Sequence, residues 1–411
     1  LESLLLTPPI KEKIVMGFDP AFRTGCKLAI LDKTGKVLDI GVIYPHEPKK
    51  MILESNKIML ELINKYQVDV IAIGNGTASR ESEQYVANLI KENNLNVKFV
   101  IVNESGASVY SASKIAQEEF PNYSVEQRSA VSIGRRLQDA LSELVKIDPK
   151  SIGVGLYQHD LKEQELEEQL SYIVSKIVNK IGVNINTASE SILNYISGLN
   201  KKVIKNIIEY RNGKGNIKER KDLLKLKGLN DLIYTQSVGF LRVLEGANPL
   251  DKTNIHPEDY DIVNQILREY QIDVNLIGQD KMKECISNLN ENKIASDYEI
   301  SLDKIKTIRE NLISGIIDPR DEITKVSLKS DILTIDDLTL GMNLEGTVRN
   351  VLSFGVFIDI GLHHDALIHI SKLSKSYVKD PNELLKVGDI IKATVINIDK
   401  EKEKVSLSLI D

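Results

Sequence analysis

The sequence predicts a multidomain α/β, α and β protein: a mixed sheet flanked by helices, then a helical region, then a small five-stranded barrel. Three observations predict it. Residues 13–145 alternate short apolar runs with amphipathic stretches, as strand and helix crossovers do. Residues 181–243 carry Gly-Leu-Asn twice, at Gly198-Leu199-Asn200 and Gly228-Leu229-Asn230, each time between stretches of helical periodicity. Residues 341–411 hold five short β-rich runs punctuated by glycine. A length of 411 residues with 42% hydrophobic content allows several buried cores. The boundaries read as 1–150 for the sheet, 151–180 for a connecting helix, 181–247 for the paired helices, 248–340 for a mainly helical segment and linker, and 341–411 for the barrel.

In the first part, 14–18 is a buried strand running into Asp19-Pro20, and 27–31 and 36–43 follow as strands around the turn Thr34-Gly35. Residues 49–66 form a helix, 68–73 a strand, 80–92 a helix and 97–102 a strand; helices over 106–119 and 125–144 complete the unit. Asp19 ends the first strand, Glu104 follows the last, and Asp139 lies on the final helix. Ligands of open α/β sheets collect at the carboxyl ends of strands. Three carboxylates converging there would bind Mg²⁺ and activate water for phosphodiester cleavage, the arrangement of a ribonuclease-H-like nuclease. The competing reading is structural: Asp-Pro is a common turn, Glu104 caps the helix after it, and Arg135 or Arg136 pairs with Asp139. No cofactor is expected, and Mg²⁺ enters only with the nuclease reading. The loop Gly74-Asn75-Gly76-Thr77 either approaches a phosphate backbone or is a turn before a helix capped at Ser79.

Residues 161–181 form a helix whose early glutamates are a solvated face, and Asn186 or Thr187 is the expected N-cap of the next. The first helix pair spans 187–196 and 201–211, the second 218–225 and 231–243. Glycine in such a turn lets the backbone approach another polymer, and the free N–H groups at the next helix start suit a phosphate oxygen. That is the chemistry of a helix-hairpin-helix module. Asn200 and Asn230 stand two residues after each glycine, where Asn tolerates a left-handed conformation. Residues 181–250 hold eleven Lys/Arg against six Asp/Glu, in a chain of net charge −6 and pI near 5.7, so nucleic-acid contact must come from such local patches. Gly198, Lys201, Lys202, Lys227 and Gly228 are the candidate contacts. The alternative is that both turns only join packed helices.

From 248 to 340 the pattern thins: turn signals, a short helix over 260–270, sparse helices over the hairpin core at 281–311, and an acidic linker from Asp331 to Asp337. The last part has strands at 344–351, 355–360, 366–370, 390–399 and 404–409, which suits an OB-fold barrel. Phe354 and Phe357 differ by an odd step, and a bulge at Gly355 is expected to turn both outward beside His369. Stacking of unpaired bases there contributes roughly 1–3 kcal/mol per base. Arg349, Lys392 and Lys404 are the expected phosphate contacts. The alternative places the phenylalanines in the barrel core.

The runs Gly17–Lys27, Val102–Ser113, Ser132–Asp139 and Val145–Gly155 resemble the Tex family of bacterial transcription accessory proteins, and Ser353–Asp359 with His369-Ile370-Ser371 resembles the ribosomal-type RNA-binding OB domain. The resemblance implies a YqgF-type ribonuclease-H-like domain, tandem helix-hairpin-helix units, a C-terminal OB domain, and an N-terminal helical region preceding these residues. It implies a nucleic-acid binder in transcription with no established nuclease role for the YqgF-type domain, although Asp19, Glu104 and Asp139 match acid positions of active relatives in the wider resolvase superfamily.

The expected function is a non-catalytic clamp for RNA or single-stranded DNA with little sequence preference. The rivals are a Mg²⁺-dependent nuclease and a scaffold docking on RNA polymerase or the ribosome. No apolar run is long enough to cross a bilayer, and Cys26 and Cys285 lie far apart without metal-ligand spacing; a cytoplasmic protein is expected.

Overall fold

The computed structural model describes residues 1–152, 161–287, 289–315, 318–322, 328–329, 338–362, 364–374, 378, 380–400 and 404–410. The chain divides into two compact units: Leu1–Lys11 with Ser105–Lys325, and Glu12–Glu104 with Val326–Asp411. The expected linker Asp331–Asp337 lies outside the described residues.

In the second of these units the sheet strands are β1 (Val15–Asp19), β2 (Cys26–Leu31), β3 (Val37–Ile43), β4 (Val70–Gly74) and β5 (Lys98–Val102), in the order β3-β2-β1-β4-β5. β1 pairs antiparallel with β2 and parallel with β4, which makes the predicted mixed sheet. Met16, Phe18, Leu28, Ile30, Ile71 and Ile73 alternate onto one face, where they meet Met59 and Leu62 of the Ile52–Tyr66 helix and Val86 and Leu89 of the Ser79–Glu92 helix. The sheet thereby holds the carboxyl ends of β1 and β5 rigid.

The other unit is helical, and its helices break where polar side chains compete for the backbone. The expected helix over 106–119 is two, Ala107–Ala112 and Lys114–Glu119, because Ser113 is extended and accepts the Ala116 N–H. Val125–Leu144 starts on a capping box between Ser124 and Gln127 but leaves helical geometry at Asp139, with φ −157° and ψ 98°. The Glu163–Ile181 helix buries Leu170, Val174, Ile177, Val178 and Ile181 in the same core as both hairpins. The next helix is only Glu190–Leu193, and Ser189, rather than Asn186 or Thr187, caps it. Asn186 instead exchanges two hydrogen bonds with the Ile217 backbone. After the Lys201–Lys214 helix comes a 3₁₀ turn, Arg220–Lys225, where a helix was expected, then the Asp231–Ser237 helix. Short strands β6 (Val183–Asn184) and β7 (Leu241–Arg242) pair in parallel and tie the start of the hairpin array to its end. The helices Tyr260–Glu269, Asp280–Ser287 and Leu302–Ser314 do more than overlie the hairpins, which was the expectation: Val263, Leu267, Met282, Ile308 and Leu312 give them a core of their own, and Ile294 of the Glu291–Asp297 helix joins Ile266 and Ile305 in a second small cluster.

The barrel consists of β8 (Asn343–Leu352), β9 (Gly355–Asp359), β10 (Ala366–His369), β11 (Ile390–Asp399) and β12 (Lys404–Ser408), closed in the order β10-β12-β11-β8-β9. Val348, Val356, Ile358, Ile368, Val395 and Leu407 fill it. Closure removes the sheet edges and leaves one outer face for contact.

Candidate nucleic-acid interface

Burying Val356 and Ile358, each worth about 1.5–3 kcal/mol, fixes which face of β9 points inward, so Phe357 between them points out. Phe354 is outside for a different reason than expected. No bulge occurs at Gly355; Phe354 sits in the turn between β8 and β9, and the register shift lies in β8 between Val348 and Asn350. Gly355 is needed because a Cβ there would drive into the Ile368 carbonyl of β10. Phe354 is 48% exposed, and its ring stands edge-on to that of Phe357 at 6.1 Å and 90°. His369 is exposed and pairs across the ladder with Gly355, while the Ile370 N–H bonds the Phe354 carbonyl at 2.9 Å, so the three rings share one patch. The His369 Nδ1 accepts the Ser371 N–H at 3.3 Å, which assigns the proton of the neutral ring to Nε2 and leaves that nitrogen a donor.

The cations around this patch are unequal. Arg349 is committed to Asp359, with Nη2 2.6 Å from Oδ2, so its charge is offset at the surface. Lys392 and Lys404 are exposed and in no ion pair with a described residue; the ladder places them opposite Glu345 and Asp399.

Both hairpin turns have the glycine that their backbone demands: φ is +88° at Gly198 and +83° at Gly228. Asn200 and Asn230 are not left-handed, contrary to expectation. Each is extended, and its side chain accepts the N–H three residues on, of Val203 at 3.1 Å and of Ile233 at 2.9 Å. They are N-caps, which leaves the amides of Lys201, Lys202, Asp231 and Leu232 in the first helical turns facing out. Gly198 packs against the second hairpin, where a Cβ would lie 2.8 Å from that of Gln236, while around Gly228 nothing comes nearer than 3.7 Å. Lys201, Lys202 and Lys227 are exposed beside these turns.

The basic island is smaller than its count. Arg220 and Arg242 are buried, and Arg211 donates to the carbonyls of Ile185 and Ala188 at 2.8 and 2.7 Å. Burial also lowers the Arg242 guanidinium to about 10, helped by the nearby Arg220 charge. These three arginines hold the hairpins together rather than face a ligand. Replacing Lys201, Lys202 and Lys227 by alanine is expected to lower the slope of log affinity against log salt by about 1 per lysine, with no change in sequence preference. An unchanged slope in a salt-titrated binding assay would remove the hairpins from the interface.

Asp19 ends β1. Glu104 follows β5, its N–H donated to Asn75 Oδ1 at 3.0 Å and its carboxylate pressed against Gly76, where a Cβ would collide with it. Asp139 belongs to the other unit, and its carboxylate is taken by Arg320 at 2.7 Å and by the Ser142 hydroxyl at 2.8 Å. Arg320, 181 residues away and unforeseen, takes the role expected of Arg135 or Arg136; Arg135 pairs with Glu119, and Arg136 donates to the Ser105 carbonyl. Among the described residues no three His, Cys, Asp or Glu side chains group as a cation site.

The family model described as "Tex protein YqgF-like domain" matches residues 13–138, "Helix-hairpin-helix motif" matches 178–242, "HHH domain" matches 248–320, and "S1 RNA binding domain" matches 337–410. The match at 248–320 identifies as a hairpin domain a segment whose weak periodicity gave no such signal. Along its whole length the chain is 50% identical to the uncharacterized protein YdcI of Bacillus subtilis, covering 57% of it. It is 43% identical to Protein tex of Bordetella pertussis, covering 52%, and 42% identical to the transcriptional accessory protein Tex of Neisseria gonorrhoeae, covering 53%. The chain thus spans about half the length of these relatives.

Proposed function

The chain belongs to the Tex family, and on that premise we propose that it clamps RNA or single-stranded DNA with little regard to base sequence, holding the strand without cutting it. The outward Phe354 and Phe357 rings beside His369, the first exposed and the second half-buried, carry this reading. Every base has a face to stack, so such a platform is tolerant of sequence, and unpaired bases alone can reach it. The Gly198 and Gly228 turns add backbone contacts through their amides and lysines. Holding without cutting is supported by the engagement of Asp139 with Arg320, and no cofactor is required. The name of the Neisseria relative suggests transcription as the process. A protein partner such as RNA polymerase or the ribosome, and a cytoplasmic location suited to the free thiols of Cys26 and Cys285, complete the proposal.

A salt-titrated comparison of single-stranded RNA, single-stranded DNA and duplex, run with Mg²⁺ and labelled strands, tests it. Both single strands are expected to bind, more weakly as salt rises, with homopolymers differing little and every strand staying full length. Cleavage that disappears in Asp19→Asn would replace the clamp with a nuclease, and selection of one sequence would rule out the stacking platform.

A further inference from the structure

The Asn75-Gly76 loop and the start of the Ser79–Glu92 helix have no task in the clamp. With Lys329 and the barrel residues Arg349 and Asp359, all in one compact unit, they line a cleft of about 930 Å³. That volume is at the upper end of the roughly 300–1,000 Å³ typical of small-molecule sites. Strand register connects it to the stacking patch. Phe357 lies opposite Asn350 and Asp359 opposite Thr347, so Arg349 and Asp359 stand on the outer barrel surface within two residues of Phe357, about 7 Å along the strand. Lys329 bridges the two walls: its backbone pairs with Phe99 of β5, its Nζ lies 3.0 Å from Glu83, and a Cβ on Gly361 would come within 3.4 Å of that Nζ. Arg80 is exposed on the same cleft and in no ion pair with a described residue.

We propose that this cleft takes the one or two nucleotides next to the stacked pair, so that the barrel passes a single strand along the carboxyl edge of the sheet, past Asn75 and Glu104. The inference rests on the stacking platform being the first grip. The lining favours a single strand. Arg80 meets a phosphate, while Lys329 and Arg349 are offset by Glu83 and Asp359, which leaves too little net positive charge to draw in the two dense phosphate rows of a duplex. The cleft also gives the Asn75-Gly76 loop its purpose: Gly76 lets that loop lie against Glu104 and keeps the floor open.

Binding of fluorescent oligouridines of about four and about ten nucleotides to the full chain tests this, since an OB fold occupies from about four nucleotides upward. Arg80→Glu, on an exposed helix surface, is expected to weaken the longer strand roughly tenfold and leave the shorter one unchanged. Equal loss on both, or loss on neither, overturns the proposal. A photoreactive base placed next to the stacked pair is expected to crosslink to residues 75–80, and crosslinks confined to the barrel overturn it likewise. Phe354→Ala in the same assay separates the two readings. It weakens both strands if the platform is the first grip, and if the short strand ignores it, the platform and this proposal fail together.

Discussion

Replacing Phe354 and Phe357 together by alanine is expected to cost roughly 2–6 kcal/mol of single-strand affinity, at about 1–3 kcal/mol per lost stack, a loss of about thirtyfold at the lower end and more than a thousandfold at the upper. The barrel should survive, because its core is made by Val356, Ile358, Ile368 and Leu407 and neither phenylalanine belongs to it. The single variants should differ. Phe354 is the more exposed and lies in a turn, so its loss changes binding alone. Phe357 also shields the outer side of β9, and its loss should lower the melting temperature slightly. His369→Ala should remove one donor and cost less than either ring. Isothermal titration with a short oligouridine measures all four variants; undiminished affinity in the double variant would show that the barrel is not the grip.

Replacing Arg220 by leucine is expected to destabilise the helical unit by about 3–5 kcal/mol, the usual penalty for removing one partner from a buried charged network. Arg220 is 1% exposed and holds four acceptors: the carbonyls of Leu241, Ile255 and Thr253 at 2.7, 2.7 and 2.6 Å, and the Tyr260 hydroxyl at 2.7 Å. Its own N–H is accepted by buried Asp251 at 2.8 Å, which also accepts the Tyr260 hydroxyl. Without the guanidinium those carbonyls stay buried with no donor, and each orphaned group costs about 1–3 kcal/mol. Arg220→Lys should recover little, since a single ammonium cannot span four acceptors. Thermal unfolding should fall by roughly 10 °C, from the usual conversion of 2–4 °C per kcal/mol in a unit of this size. Single-strand binding by the barrel should be retained, and a melting point unchanged in Arg220→Leu would refute the assignment.

Arg220 also shows where reading the sequence runs out. It stands in the same basic stretch as Lys221, Lys225 and Lys227, and nothing in spacing or charge separates the one that turns inward from those that face solvent. Helix limits failed for a related reason. Ser113 and Asp139 lie within apolar-periodic stretches, and the side-chain bond that breaks each helix outweighs the weak preference of a few residues. The asparagines after the hairpin glycines were legible as turn residues but not as caps, because Asn is favoured in both the left-handed region and the N-cap.

The sequence by itself determined the mixed sheet, the paired glycine turns and the five-stranded barrel. All of these follow from local periodicity, where a side chain's burial is set by neighbours two to four positions away. Only the tertiary structure decided that Asp139 belongs to Arg320, that buried Arg220 and Arg242 and half-buried Arg211 brace the hairpins, and that Arg349 stands beside a cleft shared with Asn75 and Lys329. Those outcomes depend on pairs far apart in sequence, 181 residues for Asp139 and Arg320 and 246 for Glu83 and Lys329, whose energies exist only once the chain has brought them into contact and stripped their water.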